Sequence, residues 1–337
     1  MAKQALTYFA LSMASLGLTL SSSLSEAQNG LAHLQNRFHS APSSTRTIQS
    51  AQPDGSSYTY TLFDFPGTFY TYPSSLNLGV SNPKIDVVGQ YGVISALSPN
   101  GFLLRGSEGK GVVTESYQTV DFPGVSQQGA FGVNDGGQIV GQYVDTSGIF
   151  HGWELSGATF TTIDVPFTGA TGTVTNGIND AQEIVGCWEG SGISQHGFTL
   201  IAGTYTSFDY PGAIQTCPWA VNSSGVITGY YTDTSDVEHG FTLSGSTFTS
   251  IDPPGSVWTY LGGINDAGDV VGGYCTTSAC IETLDGSQGF LLSKGSYTTF
   301  TIPGAVGSSL GAINNKGVIL GGYFDVAGFD HGFVAVP

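Results

Sequence analysis

Short apolar segments separated by turn-forming residues fill the chain from residue 57 to residue 337. The segments are rich in Val, Ile, Thr, Tyr and Phe, and they end at Gly, Pro, Asn or Asp, which is typical of β-strands joined by tight turns. No apolar stripe with a helical spacing competes with them. The pattern therefore predicts an all-β protein.

The same four segments recur six times in a fixed order. Strand a ends at an Asn, strand b resembles "EIVGCW", strand c resembles "HGFTL", and strand d resembles "YTSFD" and is usually followed by Pro and Gly. The equivalent Asn residues are Asn82, Asn134, Asn179, Asn222, Asn265 and Asn314. Four antiparallel strands repeated about every 45 residues are typical of propeller blades, so the predicted fold class is an all-β, six-bladed β-propeller.

The two ends of the repeat region complement each other. The first repeat begins with an isolated strand d, and the last repeat ends on strand c. Pairing of the N-terminal strand (57–65) with the C-terminal blade would close the ring and remove an exposed sheet edge. We therefore predict a single propeller domain over residues 57–337.

The first 56 residues do not fit the repeat. Lys3, an apolar run and a small-residue end at Ala27 match a secretory signal peptide over residues 1–27, and residues 28–56 are predicted to be a linker or disordered arm. The apolar run is too short and too rich in Ser to favour a membrane span, and no second run of spanning length follows. The predicted location is therefore secreted, periplasmic or extracellular.

Acidic residues outnumber basic residues by 25 to 8, which gives a formal charge of −17. No Lys or Arg lies between Lys110 and Lys294. A protein that binds phosphate groups needs a basic face, so nucleic acid and anionic membranes are not expected partners. Neutral glycans, cations and basic extracellular proteins are compatible with this charge, and so is the simpler interpretation that acidity keeps an exported protein soluble.

Export makes disulfide bonds the expected state of the four cysteines. Cys275 and Cys280 are close in sequence and are predicted to close one loop. The remaining two, Cys187 and Cys217, would then join neighbouring blades. None of the four has a zinc-like C-x-x-C spacing, so a metal site through sulfur is not predicted.

The ordered occurrence of "GINDAGDVVGGY", "HGFTL" and "FDYPG" resembles the HAF family of predicted extracellular repeats. The family's triplet of His, a small residue and an aromatic residue matches 151–153, 196–198, 239–241 and 331–333. Asn100 and Gln288 take the place of His in the other two repeats. The resemblance extends over residues 57–337 and implies a repeat architecture and export, but no established reaction.

Residues present in every repeat are expected to serve the blades themselves. The Asn would stabilise the a–b turn, the Gly of strand b would permit a β-bulge or close approach of a neighbouring blade, and the next aromatic residue would pack between blades. Strand d ends near an Asp where strand c begins with a His, so an Asp–His hydrogen bond is predicted to brace one blade to the next. The residues concerned include Asp121, Asp164, Asp209, His151, His196 and His239.

Two kinds of acidic loop are candidate cation sites. In the a–b turn of the fifth repeat, other repeats replace Asp266 by Ser and Asp269 by Val, which favours a purely structural turn. In the b–c loop of the fourth repeat, Asp233, Asp236 and Glu238 would supply part of the oxygen set that Ca²⁺ needs. No complete calcium motif is present, so a solvated loop is the alternative, and no other cofactor is predicted.

A ligand site is expected where the repeats differ. The d–a loops vary most, and five aromatic residues are predicted to lie in them: Tyr70, Tyr72, Trp219, Trp258 and Tyr260. On the face that carries the d–a and b–c loops they would form a stacking surface for sugar rings or another apolar ligand. The alternative is that they plug the mouth of the central channel or pack under neighbouring loops.

Catalytic signatures such as G-x-S-x-G, H-E-x-x-H and the phosphate-binding loop are missing from the sequence. The sequence therefore predicts an exported, non-enzymatic protein that binds a glycan, protein or matrix partner through its loop face. Two alternatives stay open: a secreted polysaccharide hydrolase that uses loop carboxylates as acid and base, and a structural component of the cell envelope.

Overall fold

The computed structural model describes residues 46–52, 57–65, 68, 70–79, 84–93, 96–109, 111–190, 195–327 and 329–337. The predicted signal peptide (1–27) and residues 28–45 of the predicted arm lie outside these ranges. Within them, the strands form six antiparallel sheets, as predicted for a six-bladed propeller. No helix in this part of the chain is long and apolar enough to cross a membrane.

The first three blades follow one another along the chain. Blade 1 contains β3 (Tyr70–Leu76), β4 (Lys84–Val93), β5 (Ala96–Gly109) and β6 (Gly111–Val120). Blade 2 contains β7 (Gln128–Val133), β8 (Ile139–Val144), β9 (Phe150–Ser156) and β10 (Thr159–Ile163). Blade 3 contains β11 (Gly172–Ile178), β12 (Ile184–Glu189), β13 (Gln195–Ile201) and β14 (Thr204–Phe208).

The remaining blades continue the same order. Blade 4 contains β15 (Gln215–Val221), β16 (Ile227–Thr232), β17 (Glu238–Ser244) and β18 (Thr247–Ile251). Blade 5 contains β19 (Trp258–Ile264), β20 (Val270–Cys275), a short helix α1 (Ser278–Thr283), β21 (Gln288–Ser293) and β22 (Ser296–Phe300). Blade 6 contains β23 (Gly307–Ile313), β24 (Ile319–Phe324), β25 (Asp330–Val336), β2 (Ser57–Phe63) and β1 (Arg46–Ala51).

The N-terminal strand closes the ring. Strand β2 pairs antiparallel with β25, with Thr59 opposite Val336 and Phe63 opposite Gly332, so it supplies strand d of blade 6. Blade 6 in turn contacts blade 1 through β24, β25 and β3. The predicted closure of the propeller by the first strand of the repeat region is confirmed.

The predicted arm over residues 28–56 is wrong for residues 46–51, because these form β1, a fifth strand on blade 6. Arg46 lies opposite Leu62 in the pairing with β2, and Ile48 packs against the core cluster of that blade. Beyond the strand, the buried Gln52 side chain accepts a hydrogen bond from the backbone N–H of Thr301 at 3.0 Å and contacts the Tyr60 hydroxyl. These contacts offset the conformational entropy that the segment loses when it becomes ordered.

A β-bulge interrupts the innermost strand of every blade. In blade 3, Val174 pairs with Cys187 and Thr175 with Gly186, after which the register shifts past Asn176. The unpaired residues at this position are Ser74, Phe131, Asn176, Trp219, Gly262 and Gly311. The bulge requires the Gly of strand b: a Cβ on Gly186 would lie 2.0 Å from the Val174 carbonyl oxygen. The predicted steric role of this glycine is therefore confirmed.

Asparagine side chains join the blades on the face of the a–b turns. The Asn179 Oδ1 accepts from the backbone N–H of Glu183 at 3.0 Å, and its Nδ2 donates to the Asn222 carbonyl at 3.0 Å. The same donation to the next blade occurs at three further residues: Asn134, Asn222 and Asn265. Each of these Asn side chains therefore stabilises its own turn and one interface between blades.

In blade 1 the prediction of Asn82 as the equivalent Asn is wrong. Asn82 lies outside the described residues, and Asn77 accepts the turn hydrogen bond from the backbone N–H of Asp86 at 3.0 Å. The two residues are nine apart in sequence, whereas Asn179 and Glu183 are four apart. The extra residues of this turn carry a second Asn, which explains the wrong assignment.

Replacing Gly186 by Ala should lower the free energy of unfolding by at least about 2 kcal/mol, because the added methyl group overlaps a backbone carbonyl that cannot move without opening the bulge. Gly136→Ala is the matched control: the nearest atom to its Cβ is a side-chain oxygen at 3.3 Å, and the residue is exposed. Chemical denaturation of both variants measures the difference. Equal stabilities would contradict the bulge explanation.

Candidate functional site

The repeated Asp and His residues meet on the loop face, where the d–a and b–c loops lie. The His Nδ1 lies 2.9–3.0 Å from an Asp carboxylate in four pairs: His151–Asp164, His196–Asp209, His239–Asp252 and His331–Asp64. Both members of each pair belong to strands c and d of one blade. The hydrogen bond therefore forms as predicted, but it joins neighbouring strands and does not brace one blade to the next. In blade 1, Asp121 accepts from Gln128 Nε2 at 3.2 Å instead.

Stacked rings make the contact between blades. Tyr210, which follows Asp209 at the end of blade 3, stacks on Tyr231 of blade 4 with centroids 3.6 Å apart, and His239 stacks near the same ring at 5.1 Å. The backbone N–H of Tyr210 also donates to Thr216 Oγ1 at 2.9 Å. Aromatic packing between blades was predicted for this tyrosine position, and the His ring forms one side of the stack.

Three His residues lie between two carboxylates. Besides the Asp of strand d, the His Nε2 faces the first Asp of the b–c turn at 3.6 Å from Asp145, 3.7 Å from Asp233 and 3.4 Å from Asp325. In blade 6, burial lowers the pKa of His331, but hydrogen bonds and charge from Asp64 and Asp325 outweigh it and raise that pKa above its usual value. Protonation of His331 therefore strengthens its interactions with Asp64 and Asp325 at the loop-face end of blade 6.

The three residues predicted to bind calcium do not converge. Asp233 Oδ1 accepts from the backbone N–H groups of Ser235 at 2.8 Å and Val237 at 2.9 Å, which lowers its pKa and holds the turn. Asp236 is exposed at the tip of this turn, whereas Glu238 is buried at the start of β17. Among the residues that the structure describes, no group of three or more His, Cys, Asp and Glu side chains is arranged to hold a metal. The geometry favours the solvated turn over the calcium site.

None of the five predicted ligand residues lies in a d–a loop, which corrects the prediction, and Trp219 lies farthest along its strand. It occupies the bulge of β15, is 8% exposed and points into the central channel, where its ring centroid lies 6.0 Å from that of Phe131. The large side chains at the bulges of blades 2 and 4 thus narrow the channel. The sequence signal was ambiguous because strand β15 already begins at Gln215.

The other four predicted aromatic residues lie on the innermost strands of blades 1 and 5, toward the loop face and on either side of blade 6. They are the first and third residues of two strands: Tyr70 and Tyr72 on β3, and Trp258 and Tyr260 on β19. The Trp258 and Tyr260 centroids are 5.3 Å apart. The hydroxyl groups of Tyr72 and Tyr260 lie near each other and near Ser309 of the intervening blade 6. We call these four rings with Ser309, Asp330 and Glu238 the channel-mouth cluster.

Two carboxylates complete the channel-mouth cluster. Asp330, the first residue of β25, is close enough to Tyr70 and Tyr72 for its charge to raise the pKa of both phenols, after the larger effect of burial. The charge of Glu238, the first residue of β17, likewise adds to the effect of burial and raises the pKa of Tyr260. Burial itself raises the pKa of Asp330 to about 7, although the neighbouring His331 opposes this shift. The cluster therefore combines aromatic faces with hydrogen-bonding oxygens and contains no basic side chain.

The sequence did not indicate Asp330, Ser309 or a role for Glu238 at the channel. Asp330 and Glu238 both immediately precede the repeated His, so their side chains leave strand c on the opposite side from it. The equivalent residue is Phe150 in blade 2 and Gln195 in blade 3. A comparison of this one position across the repeats would have shown acids in two of them.

Both predicted disulfide bonds are present. Cys187 on β12 and Cys217 on β15 join blades 3 and 4 with a Cα–Cα distance of 5.1 Å. Cys275 at the end of β20 is bonded to Cys280 in α1, with a Cα–Cα distance of 5.7 Å. The inter-blade bond lies beside the channel, where Asn176 Nδ2 contacts the Cys217 sulfur at 3.4 Å.

His331 should make stability depend on pH. Because its folded pKa exceeds the unfolded value, the stabilisation is complete below about pH 6.5 and is lost as pH rises through the folded pKa. Relative to His331→Gln, the native protein should therefore gain about 1 kcal/mol more at pH 5.5 than at pH 8.5. Urea denaturation at both pH values measures this gain. In an Asp64→Asn background most of the pH dependence should vanish, and its persistence would contradict the assignment.

Asp330→Asn should stabilise the fold at alkaline pH. The folded pKa of about 7 lies above the usual value of 3.8, so the charged form opposes folding increasingly between those two values. The variant should exceed the native protein by up to about 4 kcal/mol at pH 8, and the difference should vanish below pH 4. Thermal denaturation across this pH range measures the difference. Asp209→Asn, which removes a hydrogen-bonded carboxylate, is the control and should destabilise the fold at pH 8.

Comparison with known proteins supports the fold. A mutant of AofleA from Arthrobotrys oligospora superposes with a TM-score of 0.51 at 10% identity, over 87% of this chain and 91% of that one. A mutant of the Aleuria aurantia lectin AAL in complex with Fucalpha1-6GlcNAc gives 0.48 at 11% identity, over 80% and 97%. TolB from Acinetobacter baumannii gives 0.47 at 10% identity, over 90% and 82%. No protein-family model and no curated protein matches the chain. At these identities the likeness to AofleA shows a common fold alone.

Proposed function

We propose that this protein is an exported, non-enzymatic propeller that binds a glycan at its channel-mouth cluster. The observation that carries the proposal is the convergence of four aromatic rings from blades 1 and 5 with the carboxylates of blades 4 and 6. Sugar rings present apolar C–H faces to aromatic side chains and hydroxyl groups to carboxylates, so this combination suits a carbohydrate. Tyr70, Tyr72, Trp258 and Tyr260 are all partly exposed.

The rest of the loop face fits contact with a partner. Among the described residues, large hydrophobic side chains that are exposed include four on loops of this face: Ile149, Ile214, Val257 and Val326. Val326, at the tip of a b–c turn, is 87% exposed. Exposed apolar side chains gathered on one face are typical of interaction surfaces. They would contact the part of a glycan or its carrier that extends beyond the cluster.

The charge favours a neutral glycan. No Lys or Arg lies between Lys110 and Lys294, and acidic side chains repeat on the loop face. A uronate or sialylated chain would meet like charge without a basic group to compensate it, which costs binding energy. Two disulfide bonds support export, since oxidised cysteines are typical of proteins outside the reducing cytosol.

The test is an array of neutral, uronate-containing and sialylated oligosaccharides probed with the purified protein. Binding to neutral glycans is expected, and Tyr70→Ala and Trp258→Ala should each weaken it about tenfold or more, because each removes a stacking face. Tyr297→Ala is the control, since this 38% exposed ring lies on the outer strand β22. Release of reducing ends from the bound glycan would favour the hydrolase instead. A blank array would contradict the proposal.

A further inference from the structure

We propose that the central channel binds a linear aliphatic diamine or polyamine, which enters from the turn face, the side of the propeller that carries the a–b turns. This site lies on the face opposite the channel-mouth cluster, so the inference is independent of the proposed glycan binding. It follows from a cavity in the channel, from two buried oxygen atoms without a partner at the inner end of that cavity, and from carboxylates around its opening.

The cavity extends from the bulges to the a–b turns. Its walls come from the innermost strands of all six blades and enclose an empty volume of about 430 Å³, counted with the open end. Leu78, which follows the turn residue Asn77, belongs to the lining. Among the described residues of these strands, none on the loop-face side of the bulges lines the cavity. The cavity therefore opens at the turn face.

The middle of the cavity is a narrow apolar passage. Each blade contributes one apolar side chain there, two residues beyond its bulge, and none of these side chains is more than 7% exposed. Such a passage suits an unbranched chain, whose methylene groups would be removed from water against it. The six residues are Leu76, Val133, Ile178, Val221, Ile264 and Ile313.

The inner end of the cavity offers hydrogen-bond acceptors. Asn176 Nδ2 donates to the Pro218 carbonyl at 2.9 Å, which orients the amide so that Oδ1 is the atom left without a protein partner. Ser74 Oγ also lacks a protein partner, and Asn176 and Ser74 are 1% and 2% exposed. Both residues lie at bulges and line the cavity. Because buried polar atoms are normally paired, a group that donates hydrogen bonds is expected here.

Two aromatic side chains at the same level favour a cationic donor. Phe131 and Trp219 occupy the bulges of blades 2 and 4, with ring centroids 6.0 Å apart. Aromatic faces attract an ammonium group, which also brings three N–H donors for neighbouring oxygen atoms. The described lining contains no Lys or Arg that would compete for these groups. The inner end of the cavity therefore matches a primary ammonium group.

Carboxylates surround the opening at the turn face. Asp135, Asp180 and Asp266 directly follow the repeated Asn in blades 2, 3 and 5. Burial raises the pKa of Asp180, and the charges of Asp135 and Asp266 add to this shift, although the hydrogen bond from the backbone of Asp135 opposes it. The three carboxylates thus create a shared negative potential that attracts a second ammonium group. Asp180 lies four residues beyond Asn176, or roughly 13 Å, which a linear diamine can span.

The closing experiment measures binding of octamethylenediamine to the purified protein by calorimetry at physiological ionic strength. One diamine per protein is expected. Octylamine, which has one ammonium group, should bind about tenfold more weakly or worse, and the uncharged octanediol more weakly still. Equal affinities for the diamine and the diol, or several diamines per protein, would overturn the proposal. Absence of binding would leave water as the partner of the buried oxygen atoms and would also overturn it.

A pair of matched variants tests the inner end of the cavity. Ser74→Ala and Thr61→Val each remove one buried hydroxyl that lacks a protein partner, and Thr61 lies on β2, away from the channel. Neither should lower stability. Ser74→Ala should weaken diamine binding about three- to tenfold, whereas Thr61→Val should leave it unchanged. Equal affinities for the two variants would overturn insertion as far as the bulges.

A second pair tests the opening. Asp180→Asn and Asp236→Asn each remove one negative charge, on the turn face and the loop face respectively, and Asn at position 180 can still accept from the backbone N–H of Asp135. Only Asp180→Asn should weaken diamine binding, by about threefold or more. Equal losses would indicate unspecific attraction to an acidic protein and overturn the site. Trp258→Ala should leave diamine binding unchanged, and a loss there would move the amine to the channel-mouth cluster without bearing on glycan binding.

Discussion

One extra residue in each innermost strand determines the centre of this propeller. The bulge presses a backbone carbonyl against the facing strand, so that strand must carry a glycine, and it turns one unpaired residue per blade toward the axis. Four of the six residues carry a side chain, and the sizes of these side chains decide which part of the channel is filled. Phe131 and Trp219 fill one side, whereas Gly262 and Gly311 contribute no side chain to the other. The asymmetry that creates a pocket therefore arises at a position that is strictly repeated in the backbone.

The two faces of the propeller hold the blades together by different chemistry. On the turn face, neutral amide groups such as that of Asn222 donate to the carbonyl of the next blade, and this contact does not change with pH. On the loop face, Tyr210 stacks on Tyr231 of the next blade, and the stack ends on a histidine held by Asp252. Carboxylates also join blades on the turn face, where Asp180 Oδ1 accepts from the backbone N–H of Asp135 at 2.8 Å and Asp266 Oδ1 accepts from that of Ser223 at 2.9 Å.

Most of the architecture could be predicted because the repeat carries the strand order, the turns and the ring closure. The exceptions are places where the repeat gives no signal. Strand β1 (Arg46–Ala51) has no counterpart in other blades, and its pairing partner is itself the isolated first strand. In the longer a–b turn of blade 1, Asn77 takes the role that the repeated Asn has in the other blades. The sequence predicts Trp219 in a loop because it marks the starts of strands poorly. Asp330 and Glu238 belong to the channel-mouth cluster because side chains alternate along strand c, and in the sequence the repeated His that follows them is the more visible signal.

Ring closure by the first strand has a consequence for the time course of folding. His331 and Asp64 are 267 residues apart in sequence, and the Gln52–Thr301 contact spans 249. Contacts of such long range are slow to form, because the intervening chain loses conformational entropy before the contacts are gained. Strand β2 is thus synthesised early but is among the last to find its partner. Until the C-terminal residues are available, blade 6 lacks an outer edge and the propeller stays open, so truncation at the C-terminus would leave an exposed strand at both ends of the chain.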